Sequence, residues 1–103
     1  MVTTTIDLTS YTVDNTEINV QDELVSILLE IKGIYVCGEQ LCMGVRLAEK
    51  IAAAKGKPFA VTVEDNELAL LKGVIDRLIA DGVVGGELHN TLVMRVFRAK
   101  VKV

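Results

Sequence analysis

The strongest constraint in this sequence is the spacing of apolar residues between positions 64 and 82. Six large aliphatic side chains recur there at intervals of three and four residues: Leu68, Leu71, Val74, Ile75, Leu78 and Ile79. This spacing places them on one face of an α-helix, with charged residues such as Lys72 and Arg77 on the other. The acidic run Glu64–Glu67 suits the beginning of a helix and Gly82 suits its end. We therefore predict a helix that buries one face.

A second helix is predicted between Asn19 and Gly33. Asn19 is a favourable N-cap, and glycine readily adopts the left-handed conformation that ends helices. The apolar residues on one face are Leu24, Ile27, Leu28 and Ile31. Val25 and Leu29 widen this face so far that little of the helix can meet water, and we expect it to be the central helix of the core.

A third helix is predicted from about Glu39 to Lys55. Gly56 supplies a stop, and Pro58 cannot continue a helix. In the run that follows, 59–63, every second residue is a large apolar one. That alternation predicts a short strand with one buried face.

The first twenty residues indicate extended structure. Residues 3–8 and 11–20 are rich in β-favouring Thr and Ile, and the cluster Asp14-Asn15-Thr16 is of the turn-forming type. We expect a hairpin in which Thr4–Leu8 pairs with Glu17–Val20.

The last segment allows two interpretations. As a strand, 91–103 alternates imperfectly. As a helix capped by Asn90, it has its polar positions at spacings of four, three and four residues, namely Thr91, Arg95, Arg98 and Lys102. These intervals favour a helix to about Ala99 and an extended tail, Lys100–Val103, that could pair with a sheet edge. Gly85-Gly86 would then be a mobile or tightly turned loop.

Together these elements predict one α+β domain spanning residues 1–103. We expect about four helices and a small antiparallel sheet formed by the N-terminal hairpin and the strand at 59–63. With 103 residues, half of them hydrophobic, the chain is long enough to build a core without a disulfide or a metal. Leu28, Leu71 and Ile75 are expected to be fully buried.

The charge balance argues against a nucleic-acid binder, because 14 acidic residues outnumber 11 basic ones. The one local excess of basic residues is Arg95, Arg98, Lys100 and Lys102. We interpret it as a solvated face, with a few phosphate contacts as the alternative. No apolar run approaches the about 20 residues that span a bilayer, and a secretory signal is not recognisable. We expect a cytoplasmic location and no membrane association.

Residue types that carry catalysis or bind metals are few. Cys37, Cys42 and His89 are one ligand short of a closed zinc site, and the cysteine spacing is unlike that of a redox pair. We interpret the cysteines as small buried side chains and His89 as a helix-cap or surface residue. The run Glu64–Glu67 lacks the ligand spacing of a calcium loop, and 82–86 lacks a phosphate-binding motif. We expect no enzymatic activity, metal or cofactor.

Apolar and amphipathic side chains indicate an interaction role instead. A domain of this size buries only about two-thirds of the surface of its unfolded chain, so part of its large hydrophobic fraction must stay accessible. The best anchors for a partner are Met94 and Phe97, beside Arg95 and Arg98, which are residue types enriched in interfaces. We predict a protein partner or self-association through this segment, with a homodimer favoured.

Five segments carry a resemblance in the order in which they occur. They are Ile6-Asp7-Leu8, Asn19–Leu24, Arg46–Ile51, Val63–Glu67 and Leu92–Ala99. In this order the chain resembles small bacteriophage and prophage proteins of unassigned function, although Cys37–Cys42 and Gly85-Gly86 depart from them. The resemblance implies a viral origin, and no functional residue can be carried over.

The function expected from the sequence is therefore that of a non-enzymatic protein-interaction module, acting as a phage accessory, assembly or host-interaction protein. Two alternatives remain open. One is a nucleic-acid-associated factor that uses the basic residues from Arg95 to Lys102. The other is an oligomer that binds a small ligand near Gly85-Gly86.

Overall fold

The structure is a computed structural model that describes residues 3–31 and 33–102. Within these residues the chain forms four helices and five strands. Their order is β1 (Thr3–Asp7), β2 (Tyr11–Val13), β3 (Thr16–Ile18), α1 (Val20–Leu29), α2 (Gly38–Ala52), β4 (Ala60–Glu64), α3 (Asp65–Ala80), α4 (Gly86–Phe97) and β5 (Lys100–Lys102). The predicted α+β class is confirmed.

Strand β1 is the middle strand of a three-stranded antiparallel sheet with the order β4-β1-β5. Thr5 lies opposite Thr62 of β4 on one side and opposite Lys100 of β5 on the other. Burial alternates along β1, since Thr4 and Ile6 are buried while Asp7 is exposed. One face of the sheet therefore packs on the helices and the other stays open. The expectation that the tail pairs with a sheet edge is confirmed for Lys100–Lys102; Val103 lies outside the described residues.

The predicted hairpin is wrong in its pairing. Thr4–Leu8 does not pair with Glu17–Val20; instead β2 and β3 form a separate antiparallel pair. The two residues between them, Asp14 and Asn15, have φ angles of 48° and 66°. Positive φ at both central residues is what a type I′ two-residue hairpin turn requires, and so short a turn can join only adjacent strands. The turn cluster and the extended segment before it were identified correctly, but Thr4–Leu8 was chosen as the pairing partner instead of Tyr11–Val13.

Helix α1 begins as predicted and ends earlier than predicted. The Asn19 side chain accepts a hydrogen bond from the Asp22 backbone N–H at 3.1 Å. The helix ends at Leu29 rather than near Gly33. The hydroxyl of Tyr35 donates to the Leu28 carbonyl at 2.8 Å, which satisfies one of the carbonyls left unpaired at a helix end. The same ring lies against Gly44 of α2, where a Cβ would overlap the hydroxyl.

Helix α2 also ends early, at Ala52 instead of Lys55. The side-chain amide of Gln21, on α1, donates to the carbonyl of Ile51 at 2.8 Å and to that of Ala54 at 3.0 Å. These bonds cap the end of α2 from a neighbouring helix, so that the chain turns away before it reaches Gly56. Helices α1 and α2 are thus fixed to each other at both Tyr35 and Gln21.

Helix α4 begins four residues before the predicted cap at Asn90. It starts at Gly86, whose φ of 71° is a conformation that glycine adopts freely. The ring Nδ1 of His89 lies 3.1 Å from the Gly85 backbone nitrogen and 3.0 Å from the Gly85 carbonyl oxygen, so a side chain inside the first turn accepts from the one or donates to the other according to its tautomer. Gly86 is therefore the first residue of the helix and Gly85 is its N-cap, so the predicted loop is wrong at Gly86 and remains a loop at Gly85.

The core lies between the inner face of the sheet and the helices. Its largest fully buried side chains are Ile6, Leu8, Val20, Leu24, Leu28, Leu47, Ile51, Val63, Leu71, Ile75, Leu78 and Leu92. The predicted burial of Leu28, Leu71 and Ile75 is confirmed. Because these three side chains belong to α1 and α3, the two helices chosen from periodicity do face the core.

Leu28 and Leu29 provide a matched test of this packing, since they are 1% and 50% exposed. We expect Leu28→Ala to lower the free energy of unfolding by about 2–5 kcal/mol, because it leaves a cavity in the core. Leu29→Ala should lower it by less than about 1 kcal/mol. Urea denaturation of both variants measures the difference, and equal losses would contradict the orientation of α1.

Candidate partner-binding groove

A groove of about 1230 Å³ opens beside the central strand. Strand β1 and the turn after it contribute Thr5, Asp7 and Thr9, and the loop between α2 and β4 contributes residues 54–59. The last turn of α4 and the two residues after the helix contribute Arg95, Arg98 and Ala99. Gln21 and Ala60 complete the lining. The groove is therefore built from four parts of the chain that are distant in sequence.

The sheet register explains why these parts meet. Asp7, at the end of β1, lies opposite Ala60, where β4 begins, and Thr5 lies opposite Lys100, where β5 begins. The backbone N–H of Leu8 also donates to the carbonyl of Phe59 at 3.0 Å. The loop that leads into β4 and the helix that leads into β5 consequently reach opposite sides of the same end of β1.

The lining combines apolar and cationic side chains. Phe59, Ala60 and Ala99 are half-buried, whereas Lys55, Lys57 and Arg98 are exposed. Among the described residues, none of these three cations forms an ion pair. The arrangement is an apolar surface bordered by positive charges that are available to a ligand.

Of the basic residues that the structure describes in the groove, Arg95 is the one that is held internally. Its guanidinium donates to the Thr9 carbonyl and lies 5.5 Å from the centre of the Tyr11 ring. Its Nε is also 3.9 Å from Oδ2 of Asp7. Arg95 therefore links α4 to β1 and to β2, and it is a positive charge with a fixed position.

Asp7 is the one acidic residue among the described residues that line the groove. Its carboxylate accepts hydrogen bonds from the Thr9 backbone N–H at 2.9 Å and from the Thr9 hydroxyl at 2.8 Å. Burial opposes ionisation of Asp7, but these two hydrogen bonds and the charge of Arg95 outweigh it, and the pKa of Asp7 lies below its ordinary value. Asp7 therefore carries a negative charge at neutral pH.

The partner-binding residues predicted from the sequence divide into two pairs. Arg95 and Arg98 line the groove, whereas Met94 and Phe97 do not. Met94 is 40% exposed, and Phe97 is half-buried with its ring centre 5.7 Å from Nζ of Lys72. Self-association through this segment stays a prediction, and Met94 is the side chain of the pair that the structure leaves most accessible.

The loop at 54–59 was missed as part of a site. In the sequence, Lys55-Gly56-Lys57-Pro58-Phe59 indicated only the end of a helix and the start of a strand. Two positive charges and an aromatic residue within five positions were the signal that could have identified it. What the sequence pattern does not show is that β1 brings this loop beside Arg98.

The residues considered for metal or redox chemistry lie elsewhere. Cys37 and Cys42 are both exposed, so their interpretation as buried side chains is wrong: Cys37 occupies the N-cap position of α2 without a side-chain hydrogen bond, and Cys42 lies on the exposed side of the helix. Within residues 3–31 and 33–102, no group of three or more His, Cys, Asp or Glu side chains could hold a metal ion.

In the acidic run at the start of α3, Glu67 has a structural role. Its carboxylate accepts a hydrogen bond from Nζ of Lys50 at 2.9 Å and one from the backbone N–H of Glu64 at 2.8 Å.

Two further findings bear on a small-ligand site near Gly85-Gly86 and on helices that could cross a membrane. Neither the groove nor a smaller cavity of about 330 Å³ beside Tyr35 is lined by Gly85 or Gly86. None of the helices in the described part of the chain is both long enough and apolar enough to cross a bilayer.

Comparison with known proteins does not identify a relative: no protein-family model, no curated protein and no solved structure matches this chain. Function is therefore inferred from the groove and the residues that form it.

The hydrogen bonds around Asp7 lead to a pH-dependent prediction. We expect Thr9→Val to raise the pKa of Asp7 toward its ordinary value of 3.8, because the hydroxyl donor is lost. A folded-state pKa below the unfolded one means that Asp7 stabilises the fold above the unfolded pKa, and that this contribution is lost as the pH falls through the folded pKa.

An NMR titration of the Asp7 carboxyl carbon measures this pKa directly. Thr12→Val, an exposed threonine of the β2–β3 pair, is the control and should leave the pKa of Asp7 unchanged. A wild-type Asp7 that titrates at or above 3.8 would contradict the hydrogen-bond network.

Proposed function

We propose that this chain is a non-enzymatic protein-interaction module that binds an extended segment of a partner protein in the groove. The observation that carries the proposal is the size and openness of the groove. Its volume of about 1230 Å³ exceeds the about 300–1,000 Å³ typical of small-molecule pockets. Lys55, Lys57 and Arg98 in its lining are exposed, so their charges are accessible to a partner.

The chemistry of the lining supports recognition more than catalysis. Neither His89 nor either cysteine is among the lining residues. The carboxyl group that is present, Asp7, has a pKa below its ordinary value, and general acid–base catalysis works best with a pKa near the working pH. The Arg95 guanidinium is engaged by Asp7, Thr9 and Tyr11, which suits a positioning role.

The apolar part of the lining supports a protein ligand. Phe59 and Pro58 line the same groove as Arg98, and aromatic residues and arginine are enriched where proteins meet. A binding site of this type gains affinity from a few buried anchors surrounded by a polar rim. Phe59 is the best candidate for such an anchor because it is half-buried and borders the groove.

The biological setting that we propose follows from the resemblance in sequence. The module would serve as a phage accessory, assembly or host-interaction protein in the cytoplasm of a host cell. A homodimer is a second candidate, favoured by exposed Met94 beside half-buried Val93 and Phe97 on α4. A nucleic-acid ligand is disfavoured by the net charge of −3 and by Asp7 in the groove.

Selection from a random peptide library tests the proposal. Peptides of about twelve residues are long enough, when extended, to reach across the 39 Å longest dimension of the molecule. We expect the wild type to enrich a common motif and Ala60→Trp not to enrich it, because the indole fills the groove opposite Asp7.

Ala69→Trp is the matched control, since Ala69 is exposed on α3 and does not line the groove. This variant should enrich the same motif as the wild type. Enrichment of that motif by Ala60→Trp, or no enrichment by any of the three proteins, would rule out the groove as a protein-binding site.

A further inference from the structure

We infer that the groove selects an acidic segment, in which carboxylate side chains alternate with apolar ones. The inference rests on the proposed function and adds the chemical class of the partner. It is carried by the contrast between the charge of the groove and the charge of the chain as a whole.

The groove is positively charged within an acidic protein. The described residues of its lining include four basic side chains and one acidic one, whereas the chain has 11 basic and 14 acidic residues. More than a third of the basic residues are therefore gathered in one concave surface. A concave site lined by one sign of charge concentrates its field and raises the local concentration of oppositely charged ligands.

The burial of the side chains that line the groove indicates which order of acidic and apolar residues a ligand needs. The half-buried residues Phe59, Ala60 and Ala99 are apolar, and the cations Lys55, Lys57 and Arg98 are exposed. Successive side chains of an extended segment point to opposite sides. A segment with alternating acidic and apolar residues can thus place its apolar side chains against the inner surface and its carboxylates within reach of the cations.

Asp7 limits the affinity of the groove for such a ligand. Its carboxylate is 3.9 Å from the Arg95 guanidinium and has the same charge as an incoming Glu or Asp. An isosteric change to Asn removes this repulsion and leaves Arg95 available to the ligand. We therefore expect Asp7→Asn to tighten binding of an acidic peptide, an effect that no purely structural role of Asp7 would produce.

Fluorescence anisotropy with defined peptides tests the inference. The probe is a labelled peptide of about eight residues, which spans about 26 Å when extended, with Glu at every second position and Ala or Leu between. We expect it to bind about tenfold more tightly than the same peptide with Gln in place of Glu, since each of three exposed ion pairs contributes a factor of about two to three. A third peptide, with Lys in place of Glu, should not bind.

Charge variants locate the contacts. Arg98→Glu and Lys57→Glu should each weaken binding of the Glu peptide about fivefold or more, and Asp7→Asn should tighten it about twofold. Arg46→Glu is the control, because Arg46 is exposed on α2 and outside the groove. Raising the salt from about 0.1 M to about 1 M, where the Debye length falls from about 10 Å to about 3 Å, should abolish the difference between the Glu and Gln peptides.

Other outcomes separate the inference from the proposed function. Equal affinity for the Glu and Gln peptides, with both lost in Ala60→Trp, would overturn the acidic preference and leave a protein-binding groove. Tighter binding of a labelled single-stranded oligonucleotide than of any peptide, weakened by Arg98→Glu, would overturn both in favour of a phosphate-bearing ligand. An equal loss in Arg46→Glu would show that net charge alone governs binding, which also contradicts the inference.

Discussion

The pairing of β1 with β4 on one side and β5 on the other is the interaction on which the rest of the structure depends. It joins three regions of the chain in one sheet, and it turns Ile6 and Leu8 toward the helices as part of the core. Because a strand has two edges, one short segment can fix two distant segments at once. The approach of the 54–59 loop to the end of α4, and therefore the groove, is a consequence of this pairing.

A second set of contacts gives the groove its charge pattern. Arg95 is held by Thr9, Tyr11 and Asp7, so that β1, β2 and α4 share one fixed cation. Asp7 offsets that charge, while Arg98 and the lysines of the loop extend into solvent. An internally satisfied pair beside uncommitted cations is well suited to a binding surface, since only the uncommitted charges must lose water when a ligand arrives.

Local periodicity predicted the helices well and the sheet partners poorly. The faces of α1 and α3 could be identified because a buried helix face repeats every three to four residues, whatever it packs against. The partner of β1 could not, because several strands of similar composition compete and only tertiary packing selects among them. The same limit applies to the site: Arg95 and Arg98 were singled out as a basic cluster, but Lys57 and Phe59 join them only through the sheet. The early start of α4 depends on the φ of Gly86 and on a contact from His89, neither of which changes the apolar pattern.

The central claim is that two walls of the groove, the 54–59 loop that leads into β4 and the segment that joins α4 to β5, form one binding surface because β1 brings them together. Chemical-shift mapping by NMR tests this claim most directly. Titration of the labelled protein with the acidic peptide should shift the backbone amides of Phe59 and Ala60 on one wall and of Arg98 and Ala99 on the other, with one shared dissociation constant. Shifts confined to one wall would contradict this account. So would shifts centred on the β2–β3 pair or on the smaller cavity beside Tyr35, between α1 and α2.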